Sequence, residues 1–218
     1  MTALLRAARL LHDRGQRPAQ DVYLVFTTNE EIGGVGGSYA SATLPGTLTI
    51  ALEVGPPERE YATTVTGGPI IGYSDALCVY DKHVADQLMH IAIDRGLTPQ
   101  PATLGAFMSD ASHSKASRLT PRAGLLCLPT LSTHGFEVIP RAAIEHGRDR
   151  CGLHIAAPWG GMTVLPGSDQ RAAAGRNLWS MSDCSASRNA SSVSTTLANP
   201  AWRSLMVLTK ARGPSGAP

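Results

Sequence analysis

The stretch Thr27-Thr28-Asn29-Glu30-Glu31-Ile32-Gly33-Gly34-Val35-Gly36-Gly37 directly follows the apolar run Val22-Tyr23-Leu24-Val25-Phe26, and this junction constrains the chain more than any other. A β-branched and aromatic run closed by turn residues predicts a buried strand over 22–28. It delivers two adjacent carboxylates to the carboxyl end of a strand, where open α/β sheets place ligands. Neighbouring side chains on extended backbone point to opposite faces, so Glu30 and Glu31 can serve separate tasks, one toward a cation and one toward a proton. The glycines that follow permit a sharp turn or a close backbone approach. A plainer reading is a strand ending in two solvated acids. The segment lacks the Lys-Ser/Thr of a P-loop and the GxGxxG phasing, which excludes a phosphate cradle.

The same pattern recurs downstream. Leu48 to Val54 is a second apolar strand that ends in Glu53 and then Gly55-Pro56-Pro57. Gly67-Gly68-Pro69-Ile70-Ile71 turns into a short strand with Asp75 just beyond. Residues 83–95 have helical spacing, residues 101–108 read as a strand, and Asp110 is placed to cap a short helix over 111–117. Ala123 to Pro129 is a further strand, running into Thr130-Leu131-Ser132-Thr133-His134-Gly135-Phe136-Glu137-Val138. With an amphipathic helix over 2–13 and another beginning after Pro140, the alternation predicts an α/β fold over residues 1–150: a three-layer sandwich with a largely parallel central sheet. Glu31, Glu53 and His134 then converge on one sheet edge. Carboxylate and imidazole are groups that zinc accepts, and Glu30 stands where a base must be to take a proton from water. His12, His83, His90, His113, His146 and His154 fit no ligand spacing and are expected at the surface.

Composition limits the alternatives. A hydrophobic content of 43% with 17% charged residues is that of a soluble globular protein, and a net charge of +2 gives no argument for a nucleic-acid or membrane partner. No apolar run approaches the roughly 20 residues of a membrane span, and the first residues lack a signal peptide's apolar core and cleavage site. Cys78, Cys127, Cys151 and Cys184 form no CxxC pair and read as reduced thiols, two of them in the core, as in a cytoplasmic protein. Residues 1–150 carry 13 Lys/Arg against 15 Asp/Glu, whereas residues 151–218 carry 6 against 2. With Ser, Thr and Ala dominating 180–196, residues 151–218 are expected to form a poorly ordered tail.

Over roughly residues 1–146 the chain resembles the di-metal aminopeptidases that form tetrahedral dodecamers, which include glutamyl and deblocking aminopeptidases. The resemblance rests on Phe26-Thr27-Thr28-Asn29-Glu30-Glu31-Ile32-Gly33, Ala51-Leu52-Glu53-Val54, Gly68-Pro69-Ile70 with Asp75, Ser109-Asp110-Ala111, and Leu128-Pro129-Thr130 leading to His134 and Glu137-Val138. It implies Glu30 as general base, Glu31 and His134 on one divalent metal, and Glu53 on the other. The metals would be two zinc or cobalt ions. The substrates would be peptides with a free N-terminus, and the assembly a homo-oligomer. Asp75 and Asp110 fall on positions that support the site from behind the ligands. The family's earlier His-x-Asp, its bridging Asp and its inserted β-domain have no counterpart here, and Leu131-Ser132 replaces an Arg-Tyr pair. The expectation is therefore an N-terminally truncated chain of impaired activity, with residues 151–218 foreign to the family. Two alternatives stand beside it: a related di-zinc carboxypeptidase or amidohydrolase, and a non-catalytic remnant of the aminopeptidase fold. The Gly-Pro-Ile and Thr-His-Gly-Phe-Glu-Val segments favour the aminopeptidase.

Overall fold

The computed structural model describes residues 2–13, 20–146, 195–196 and 205–211. In chain order the elements are α1 (Thr2–Asp13), β1 (Gln20–Phe26), α2 (Val35–Thr43), β2 (Leu48–Gly55), β3 (Ile70–Asp75), α3 (Lys82–Asp94), β4 (Gln100–Leu104), α4 (Asp110–Ala116), β5 (Arg122–Pro129), β6 (Val138–Ile139), α5 (Arg141–His146), β7 (Thr195–Thr196) and β8 (Leu205–Ala211). Six strands form one sheet in the order β1-β8-β2-β5-β3-β4, and β6 pairs with β7 separately. The predicted strand over 22–28 begins at Gln20 and stops at Phe26, because the glycine-rich turn pulls the chain out of the sheet. The strand expected over 101–108 likewise stops at Leu104.

The central strands carry no polar alternation because both of their faces are covered. Residues 48–53 of β2 and 123–129 of β5 are buried throughout. Their side chains alternate between two cores. Ile50, Leu52 and Leu126 pack with Leu4 of α1 and with Val84 and Leu88 of α3, whereas Ala51, Leu125 and Cys127 pack with Tyr80, Leu104 and Ala111 of α4. This gives the expected three layers, helix on sheet on helix. Each fully buried leucine contributes about 1.5–3 kcal/mol.

Strand direction matters most for function. β2 and β5 are parallel, and β8 lies antiparallel to both β1 and β2, so β1, β2 and β5 all run one way. β3 is antiparallel to β5, and β4 follows β3, so the sheet is mixed. The carboxyl ends of β1, β2 and β5 therefore reach one edge.

Residues 205–211, to which composition assigned no structure, form the second strand of this sheet and pair on both sides. Leu205-Met206-Val207-Leu208 supplies the apolar run that such a position demands. Thr195–Thr196 of the expected tail also pair, as β7 with β6, and the rest of that tail lies outside the described residues, with Cys151, Cys184 and His154. Cys78 is half-buried and Cys127 buried, both as free thiols. Among the described residues no helix is long and apolar enough to cross a membrane.

Candidate active site

The Glu30-Glu31 pair stands on a turn, not on the extended strand end that the sequence predicts. Asn29 takes a left-handed φ of 59°, the Glu30 carbonyl accepts hydrogen bonds from Gly33 N–H at 3.2 Å and Gly34 N–H at 2.8 Å, and α2 starts at once. A Cβ on Gly34, itself at φ 61°, would sit 2.6 Å from the His113 ring, and a Cβ on Gly37 would sit 2.4 Å from Asp110 Cγ. These two glycines let the acid-bearing turn and α2 lie directly against α4.

A cleft of about 170 Å³ opens at this edge. Glu30, Glu31 and Gly33 line it from the turn, Glu53 and Val54 from the end of β2, and Thr133 and His134 from the segment after β5. Ala106, Phe107, Met108 and His113 complete its lining. Glu53 is only 6% exposed. His134 Nδ1 lies 3.7 Å from Glu31 Oε2, with the two side chains 75% and 42% exposed. The segment bearing His134 is closed by reciprocal backbone bonds, Leu131 N–H to Val138 O at 2.9 Å and Val138 N–H to Leu131 O at 3.1 Å.

Asp75 and Asp110 do not line the cleft. They belong to a buried polar seam behind it. Ser109 caps α4 through a reciprocal pair with Ser112, at 3.2 Å and 2.9 Å. Asp110 is fully buried, and its Oδ2 accepts the Thr27 hydroxyl at 2.5 Å while Oδ1 has no partner among the described residues. Ser41 of α2 donates to Ser114 of α4 at 2.9 Å. Asp75 accepts from the Leu77 and Cys78 N–H groups at 2.9 Å and 3.1 Å and from the Tyr80 hydroxyl at 2.6 Å. Since Tyr80 gives its proton to Asp75, the Ser109 hydroxyl is the donor in the 2.8 Å contact with Tyr80. Burial, reinforced by the Asp75 charge, raises the Tyr80 phenol well above its ordinary range. The same two causes push the Cys78 thiol up to about 11, and burial foremost raises Cys127, beside Glu53.

His113 is the residue that sequence spacing missed. Expected at the surface, it is half-buried against the glycine turn and faces the cleft. The signal was present: three positions after Asp110, it shares a helix face with a residue already singled out. His12, His83 and His90 are exposed as expected, and the side chain of His146 lies outside the described residues.

The donor chemistry suits a divalent cation only in part. Glu31 and His134 bring one carboxylate and one imidazole together, whereas a catalytic zinc ordinarily has three protein ligands. Among the described residues no group of three His, Cys, Asp or Glu side chains is spaced to hold a metal ion. These residues do not by themselves make a complete metal centre.

Residues 1–149 match the sequence model of the M42 glutamyl aminopeptidase family. No curated protein matches the chain. Among solved structures, the TET aminopeptidase of a marine sediment Thaumarchaeota archaeon is similar over 66% of this chain and 42% of its own, with 17% identity and a TM-score of 0.59. The PhTET1-12s structure, a dodecamer, is similar over 66% and 43%, with 20% identity and a TM-score of 0.56. An aminopeptidase of the archaeon Desulfurococcus kamchatkensis follows over 60% and 39%, with 20% identity and a TM-score of 0.53. The chain spans less than half the length of each of these proteins, and at such identities the likeness shows the fold.

Proposed function

The chain belongs to the M42 glutamyl aminopeptidase family, and from that premise we propose that its cleft is an aminopeptidase active site, acting on peptides with a free N-terminus and impaired in its metal binding. The observation that carries this reading is the convergence of Glu30, Glu31, Glu53 and His134 from three co-directional strand ends on one cleft. In this reading Glu30, on a turn fixed by two backbone hydrogen bonds to its own carbonyl, is the general base that takes and returns the proton. Glu31 and His134 are the donor pair for one divalent ion, zinc or cobalt, and Glu53 is a donor for a second. The Gly68-Pro69-Ile70 segment and the Thr133–Val138 segment, which resemble the aminopeptidases, set an aminopeptidase ahead of a carboxypeptidase on the same sheet. Asp75 and Asp110 act on α4 and Thr27 rather than on substrate.

The two-donor pair supports weak metal binding and slow turnover. It also favours a second reading, a fold that retains peptide-terminus binding without hydrolysis. Calorimetric titration of the chain with zinc and with cobalt, alongside Glu31→Ala and His134→Ala, tests the site. The expected result is weak binding that both substitutions abolish, with aminoacyl anilides hydrolysed very slowly or not at all. Tight binding of two ions with brisk turnover would refute the impairment, and affinity unchanged in both variants would refute the site.

A further inference from the structure

The side chains that line the cleft are rich in hydrogen-bond acceptors and poor in donors. Glu30, Glu31 and Glu53 only accept when ionised, and Val54, Ala106, Phe107 and Met108 have no side-chain atom that donates. Thr133 has an interaction of its own within the fold, and His134 lies 3.7 Å from Glu31. His113 differs from all of these. Its half-buried ring is seated on the glycine turn, with Cδ2, Cγ and Cβ at 2.6–2.7 Å from a Cβ built on Gly34. Among the described residues its ring nitrogens have no hydrogen-bond or ion-pair partner. Nor is it spaced to join Glu31 and His134 as a third cation donor, since no three such side chains among the described residues could hold a metal ion.

We propose that His113 donates a hydrogen bond to the carbonyl oxygen of the substrate's first peptide bond. The inference rests on the aminopeptidase reading above and adds the group that holds the reacting carbonyl. A neutral imidazole carries one N–H in either tautomer and a protonated one carries two, so the donor is present in every state. As water adds to the carbonyl carbon and its proton passes to Glu30, negative charge gathers on that oxygen, where a donor already in place is worth more than in the ground state. The placement is built into the fold. A side chain at position 34 would push the ring from its seat. The helix that carries the ring, α4, is tied to α2 by the Ser41–Ser114 bond and to the end of β1 by the Thr27–Asp110 bond, both buried.

The experiment is calorimetric binding of leucine amide and of isopentylamine, the same molecule without its carboxamide, to the full chain without added metal. The wild type is expected to bind the amide about tenfold more tightly, the upper end of what one hydrogen bond contributes. His113→Phe keeps a ring against Gly34 but no N–H, and should bring the amide down to the affinity of the amine while leaving the amine unmoved. A residue that only props the turn would weaken both ligands together. His113→Gln restores an N–H and should recover part of the difference. His113→Ala, checked for fold by circular dichroism, repeats the comparison with no ring to seat. An amide preference intact in both His113→Phe and His113→Ala would overturn the proposal and leave the aminopeptidase reading in place. A fall in zinc affinity in His113→Phe as large as that in His134→Ala would also overturn it, by making His113 a cation donor. Leucine amide binding no better than its N-acetyl form would overturn the proposal and the reading together.

Discussion

The seam between α2 and α4 and the segment that carries His134 border the same cleft, and they are held by different means. In the seam Ser109, Asp110, Ser112 and Ser114 are fully buried, joined to one another, to Thr27, to Ser41 and to Tyr80 by hydrogen bonds of 2.5–3.2 Å. In the His134 segment the imidazole meets Glu31 at 3.7 Å in solvent, and Phe136 is 71% exposed. A buried hydrogen-bonded seam fixes geometry more than an exposed ion pair does, even with Asp110 Oδ1 lacking a partner among the described residues. Preorganisation is therefore concentrated behind the carboxylates, and the imidazole that should join them is the loosest member. Under the proposed assignment the base, Glu30, stands on the turn packed against this seam, whereas the imidazole proposed to meet a cation stands in solvent.

The sharpest way to break the contrast is Gly37→Ala. In an ordinary helix interior this exchange stabilises by up to about 1 kcal/mol, but here the new methyl would meet Asp110 Cγ at 2.4 Å. A loss of about 3 kcal/mol is expected in urea unfolding, the upper part of the usual overpacking range. A stabilised variant would show that the seam yields easily and that the contrast is overstated. Tyr80→Phe tests the same side more gently by deleting the hydroxyl shared between Asp75 and Ser109. It should cost about 2 kcal/mol, since the lost bond is to a carboxylate, and a loss under about 0.5 kcal/mol would mean the linkage is geometric only. The smallest effect belongs to His134→Ala. Removing one partner of a pair this exposed should change stability by less than about 0.5 kcal/mol. A larger loss in the same unfolding assay would place His134 among the structural residues and erase the difference between the two sides.

Much of the architecture was legible, because period and turn chemistry agree with tertiary packing. Leu48–Gly55 and Arg122–Pro129 read as continuous apolar strands since both faces are buried, and α3 was legible from Val84, Leu88 and Ala92. The convergence of Glu31, Glu53 and His134 followed from placing each just past a strand and from strands that run one way. His113 escaped because that rule looks only at strand ends, while His113 reaches the cleft from inside a helix. β8 escaped for another reason. Its Leu-Met-Val-Leu core is embedded in a Ser- and Thr-rich region, and its strand identity is conferred by pairing with β1 and β2, which no local window contains. The part of the lining at Ala106–Met108 was hidden within a segment that read as strand.

The place of β8 bears on how the molecule comes to exist at all. Phe26 and Leu52 both face Leu205 across the sheet, so the strands bearing the two acidic loops are not hydrogen-bonded to each other but each to a segment synthesised far later. Until residues 205–211 have left the ribosome, one side of each strand is an open ladder of donors and acceptors. The carboxylate edge is thus assembled by the slowest class of contact, between segments most distant along the chain. During that interval the nascent protein presents exposed strand edges of the kind that chaperones shield and neighbouring chains exploit.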